Sequence, residues 1–89
     1  MRTVRQGTNE KRLHVLDFSD QLEDGDYITS VTWTIDAGVT TASEDYDAGS
    51  VEIVAYGGTA NTSYTFQAVA TTHDARKYEK TFELLVIDR

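Results

Sequence analysis

The clearest periodicity in the 89-residue chain is the two-residue alternation over 27–36 (YITSVTWTID), with Val31, Trp33 and Ile35 on one face and Ser30, Thr32, Thr34 and Asp36 on the other. Strand side chains alternate between faces, so this segment predicts a strand with one buried face, and a one-residue slip would turn Trp33 into water. The alternation recurs at 50–56, placing Val51, Ile53 and Ala55 inside and Tyr56 outside. It recurs at 63–72, with Tyr64, Phe66, Ala68 and Ala70 inside, and at 77–88, with Tyr78, Phe82, Leu84 and Val86 inside. Leu85 and Ile87 fall on the other face of that last strand, where they are either covered by a partner or exposed at a strand end. Residues 12–18 predict a short first strand of open parity, since Leu13 and Val15 oppose Leu16 and Phe18, and 39–43 predict a weak edge strand. No window carries a helical apolar repeat.

Proline is absent, so the turns fall to Asp24-Gly25, Ala37-Gly38, Ala48-Gly49 and Gly57-Gly58. Short strands between closely spaced turns, with no room for a crossover helix, predict an all-β, immunoglobulin-like antiparallel β-sandwich of about seven short strands. Trp33 on an early strand and Tyr64 opening a late one suit that arrangement, with Gly57–Ser63 as the corner loop and Tyr64 as the corner tyrosine. A five-stranded barrel is the structural alternative. The absence of cysteine removes disulfides and thiolate metal sites and leaves the redox compartment unreadable. No apolar run approaches the ~20 residues of a membrane helix, and the first residues lack the apolar core of a signal peptide.

Charge divides the chain. Arg2, Arg5, Lys11 and Arg12 stand against Glu10 alone in residues 1–14, while no Lys or Arg occurs between Leu13 and Ala75, and the net charge is −7. The organisation expected is a basic N-terminal arm, 1–14, before a single sandwich domain, 15–89. The arm either docks on a neighbour or frays as termini do. The acidic body repels phosphate, so no nucleic-acid partner is expected, and no membrane.

Candidate chemistry is sparse. His14 and His73 are distant in sequence and read as two surface histidines, with no nucleophile–base signature near either. Glu23-Asp24-Gly25-Asp26 and Glu44-Asp45-Tyr46-Asp47 are acidic turns that depart from the calcium-loop pattern and read as Asx-type turns. Gly57-Gly58 lacks the lysine and the helix of a phosphate loop and reads as a corner needing positive φ. The sequon Asn61-Thr62-Ser63 is a three-residue match without other signs of secretion. Tyr27, Tyr46 and Tyr56 are the rings left for a sugar-binding platform once Trp33 and Tyr64 are assigned inward. No enzyme, no cofactor and no metal is expected.

Leu16-Asp17-Phe18-Ser19-Asp20-Gln21-Leu22, then Gly25-Asp26-Tyr27-Ile28-Thr29-Ser30-Val31-Thr32-Trp33, then Gly57-Gly58-Thr59-Ala60-Asn61-Thr62-Ser63-Tyr64, and the closing Glu79–Leu84 follow one another in the chain. In this order and spacing the segments resemble small immunoglobulin-like structural proteins of tailed bacteriophages, of the fibre–tail adaptor or head-decoration type. The resemblance covers residues 16–86. Asn61 stands where that pattern often has glycine, and Asp74-Ala75-Arg76 replaces its Asp-Gly-Arg turn.

The resemblance implies a non-catalytic virion protein, assembled in the host bacterial cytoplasm, that docks fibres or tail and neck components to the particle. Capsid decoration is the alternative, and a carbohydrate-binding or adhesin module a second one. The partners implied are other virion proteins and copies of the chain itself. Structural roles fall on Asp17, capping the opening turn, on Trp33, Tyr64 and Phe66 in the core, and on Gly57 and Gly58 at the corner. The contacts expected are Arg2, Arg5 and Arg12 on the arm and Asp24, Asp26, Asp45 and Asp47 on the acidic turns.

Overall fold

The computed structural model describes residues 2–88. Among them the chain forms seven strands and no helix: β1 (Arg2–Gly7), β2 (Lys11–Asp17), β3 (Ile28–Ile35), β4 (Thr40–Tyr46), β5 (Ser50–Tyr56), β6 (Thr62–Thr72) and β7 (Lys77–Ile87). They pair into a four-stranded sheet, β1-β7-β6-β3, and a three-stranded sheet, β2-β5-β4. The sheets face each other as a sandwich and do not close into a barrel. The order is that of an immunoglobulin-like domain whose first strand has joined the sheet of the third, sixth and seventh. One pairing departs from the antiparallel expectation: β1 runs parallel to β7, Arg2 opposite Phe82 and Gly7 opposite Ile87.

The alternation drives the packing. Tyr64, Phe66, Ala68 and Ala70 of β6 lie beside Phe82, Leu84 and Val86 of the paired β7, and together they face Val51, Ile53 and Ala55 of β5 across one core. Phe66 and Phe82 stack with centroids 4.8 Å apart, and Trp33 meets both edge-on at 6.4 Å. The parity left open in β2 resolves with His14 and Leu16 inward and Leu13 and Val15 outward, 53% and 43% exposed. Phe18 lies just past the strand, wholly buried, its amide donating to the Gly49 carbonyl at 2.8 Å. Trp33 and Tyr78, expected inside, are only half-buried; Trp33 sits on β3, an edge strand, and its Nε1 has no hydrogen-bond partner among the described residues.

Two segments differ from expectation. The N-terminal segment expected as an arm contributes β1 and the start of β2, because β7 offers an edge whose hydrogen-bonding groups β1 satisfies over six residues. Residues 1 and 89 lie outside the described residues. The weak edge strand at 39–43 extends as β4 to Tyr46, through a bulge at Ser43, whose φ is 52°.

The sandwich has two seams where edge strands of opposite sheets meet. At one, β3 and β4 are joined by the Tyr46 hydroxyl, which donates to the Thr29 carbonyl. At the other, β1 and β2 are joined by a buried polar pair. Gln6, fully buried, donates through Nε2 to the carbonyls of Ala55 at 2.8 Å and Glu10 at 3.1 Å, and its Oε1 lies 2.8 Å from His14 Nε2. With both amide hydrogens committed, Gln6 accepts from His14, which fixes the Nε2–H tautomer of a neutral imidazole. His14 is therefore a core residue, not the surface histidine expected. Burial, then the charges of Arg12 and Arg2, push its pKa below 6.5.

Candidate functional site

Among the described residues no group of three or more His, Cys, Asp or Glu is placed to hold a metal ion. His73 is exposed, stacked on Tyr27 at 5.0 Å, and pairs with its neighbour Asp74 at 3.4 Å. Of the three tyrosines considered for sugar binding, Tyr27 and Tyr46 are exposed and Tyr56 is half-buried, and each is engaged separately. Tyr27 stacks on His73, Tyr46 bonds to Thr29, and Tyr56 lies under the Lys11 ammonium at 5.0 Å.

The acidic turns come together at one end of the sandwich. The Ile28 amide donates to the Ala48 carbonyl at 3.0 Å, drawing the 18–27 loop to the β4–β5 turn. The β6–β7 hairpin joins them: His73 N donates to Tyr27 O at 2.9 Å and Asp74 N to Asp26 Oδ1 at 3.2 Å. The loops are held stiff by their own carboxylates. Asp17 Oδ1 accepts from the Ser19 amide at 2.9 Å, and that backbone bond leads in holding its pKa below 3.8. Asp47 Oδ1 accepts from the Gly49 and Ser50 amides and the Ser50 hydroxyl, which keep its pKa low too. For Asp26, burial raises the pKa, but bonds from the Thr72 side chain and the Asp74 and Tyr27 amides, with Arg76 nearby, outweigh it and the net shift is down. Arg76 reaches Glu23 at 2.8 Å across the same end. Asp45 accepts from the Tyr46 amide at 2.8 Å, and Asp24 is exposed. Of the four acidic candidates, Asp26 and Asp47 thus shape loops, while Asp24 and Asp45 turn most of their charge outward.

The basic candidates lie elsewhere, along the β1–β2 seam. Arg2 and Arg5 on β1 and Lys11 and Arg12 on β2 are exposed. Arg12 Nη1 donates to the Arg5 carbonyl at 3.2 Å, tying the two edges together. A groove of about 590 Å³ runs between these strands, with Leu13 and Val15 among its lining.

The opposite corner carries the motif residues. Gly57 and Gly58 hold φ of 77° and 93°, and Asn61 holds 64°, a left-handed conformation that asparagine tolerates. The Thr59 amide donates to the Tyr64 hydroxyl at 2.9 Å, the geometry of a tyrosine corner. A Cβ on Gly58 would come within 2.9 Å of Val86 Cγ2 and 3.2 Å of Tyr64 Cε2, so the corner is closed by close approach as well as by φ.

Sequence reasoning missed the Gln6–His14 pair and the β1 strand. Their only advance sign was an apolar Val4 and a polar Gln6 at two-residue spacing in an otherwise charged stretch.

Among curated proteins, none matches the chain. The family model described as Podophage GP4 fiber-tail adaptor protein gp77 matches residues 6–85. That span runs from Gln6 at the β1–β2 seam to Leu85 in the last strand and takes in the corner and all three loops of the acidic end. The chain belongs to the podophage fibre–tail adaptor family and is a structural, non-enzymatic virion protein.

Proposed function

We propose that this chain joins fibre components to the tail of the particle by presenting a rigid loop surface at the acidic end of its sandwich. The observation that carries the reading is the family match over residues 6–85. The locked loops around Asp17, Asp26 and Asp47 support it, because a docking surface that is already ordered loses little entropy on binding. Asp24 and Asp45 are the outward charges there, and Tyr27 stacked on His73 supplies an exposed ring. Arg2, Arg5 and Arg12 form a second contact region along the β1–β2 seam. The partners are virion proteins rather than nucleic acid, in keeping with a net charge of −7. Folding and assembly take place in the host bacterial cytoplasm.

The test is the location and copy number of the chain in purified particles, by fractionation and quantitative mass spectrometry. An adaptor is expected in the tail fraction at about a dozen copies or fewer, following tail symmetry. Particles lacking the chain are expected to lose their fibres and keep their heads. Copies by the hundred in the head fraction would replace this reading with capsid decoration. Absence from particles would end it.

A further inference from the structure

Among the described residues the four cations of the β1–β2 seam, Arg2, Arg5, Lys11 and Arg12, make no ion pair, whereas Arg76 pairs with Glu23 and Lys80 with Asp20. In a chain of net charge −7, these four cations stand against Glu10 alone in residues 1–14, which leaves a local positive field to be met from outside. The groove that Arg2, Arg5 and Arg12 flank has an apolar side, since Leu13 and Val15 are its exposed hydrophobics.

The opposite seam is the complement. β3 and β4 contain no Lys or Arg, and Glu44, Asp45 and Asp47 are exposed around Tyr46, itself 43% exposed. An aromatic ring between carboxylates matches an apolar groove between guanidinium groups in both charge and polarity. The edge strands differ as well. β1 and β2 pair with their neighbours without interruption, while β3 is irregular between Ile28 and Ser30 and β4 between Ala42 and Asp45. Bulges on edge strands oppose strand-to-strand addition. The segment around Tyr46 is thus suited to present side chains rather than to extend a sheet.

We propose that the β1–β2 groove of one copy of this chain receives the Glu44–Asp47 segment of a second copy. The two surfaces sit on opposite seams of one rigid sandwich, so one molecule cannot satisfy both with the same partner face. The contact is heterologous and repeats from copy to copy, giving a ring where the rotation closes and a filament where it does not. The contact draws on Asp45 and on the Arg2, Arg5 and Arg12 region that the adaptor reading also uses. It is tested on the purified chain alone, so its failure is distinguishable from a failure of the adaptor reading, which is tested by location in the particle.

Sedimentation velocity on the purified chain tests the contact. Self-association is expected at about 0.05 M salt and at least about tenfold weaker at about 0.5 M, since exposed charges are screened over a Debye length. The variants Arg5→Glu/Arg12→Glu and Glu44→Lys/Asp45→Lys, at exposed positions, are each expected to be monomeric. Mixed together they are expected to form a heteromeric complex, because the native groove survives on one and the native acidic segment on the other. A wild-type chain that stays monomeric at about 1 mM and low salt, where contacts weaker than about −4 kcal/mol escape detection, overturns the proposal. So does association that persists unchanged in the variants, or a mixture that remains monomeric. A monomeric wild type whose groove binds a polyglutamate peptide overturns it in favour of a foreign acidic segment.

Discussion

Ala75 is a residue in the wrong conformation for its side chain. It occupies the tip of the β6–β7 hairpin with φ of 62°, its amide donating to the Thr72 carbonyl at 3.0 Å. The left-handed region costs an L-residue about 1 kcal/mol relative to glycine. Ala75→Gly is therefore expected to raise stability by about 1 kcal/mol, read as a higher denaturant midpoint with an unchanged slope. Gly58 is the converse, since there φ of 93° combines with a prospective Cβ 2.9 Å from Val86. Gly58→Ala is expected to cost about 2 kcal/mol or more in the same experiment. Both positions were visible in the sequence as departures from or matches to a turn pattern. The closeness of Val86 was not, because it depends on how β7 passes the corner.

At the level of strands, legibility followed the amount of apolar alternation. β3, β5, β6 and β7 carry it and were readable with their inward faces. β4 has one half-buried pair, Thr41 and Ala42, and is otherwise exposed, so its length depended on pairing with β5. β1 buries only Gln6 and Gly7 and half-buries Val4, a pattern indistinguishable from a charged tail until β7 is there to pair with it. The docking candidates were harder still. Charge was legible residue by residue, but which seam or end each charge reaches is set by sheet order.

The seam that β1 closes has a pH dependence. Native His14 is neutral, donating to Gln6, and its pKa is lowered by burial and by Arg12 and Arg2. In the unfolded chain it takes up a proton around 6.5. The unfolded state therefore binds more protons just below that pH, and stability falls as pH drops through 6.5 toward the lower native value. Asp17, Asp26 and Asp47, all held below 3.8, add losses only in the more acidic range. Urea midpoints are expected to decline between about pH 7.5 and about pH 5 in the wild type and to stay flatter in His14→Gln, the histidine being the side chain that titrates there. An identical slope in both would remove His14 as the cause.

For the whole molecule, the absence of proline and cysteine removes the two common sources of slow folding phases, prolyl isomerisation and disulfide exchange. What remains is topology: most pairings join distant segments, and β1 with β7 spans nearly the entire chain. Refolding followed by the fluorescence of Trp33, the single tryptophan, is expected as one phase in about the millisecond-to-second range, with no component of tens of seconds. A slow major phase would indicate association or a trapped intermediate.

The position of β7 between β1 and β6 has a consequence for synthesis on the ribosome. The first strand emerges early, yet its pairing partner is made last, so the larger sheet stays split while the rest of the chain is exposed. Phe66 and Trp33 lack their Phe82 contact throughout that interval. The long stretch without Lys or Arg keeps the nascent segment uniformly anionic while its apolar faces wait uncovered. Like-charge repulsion between neighbouring nascent chains on one polysome would then guard the unfinished domain until translation delivers the strand that completes it.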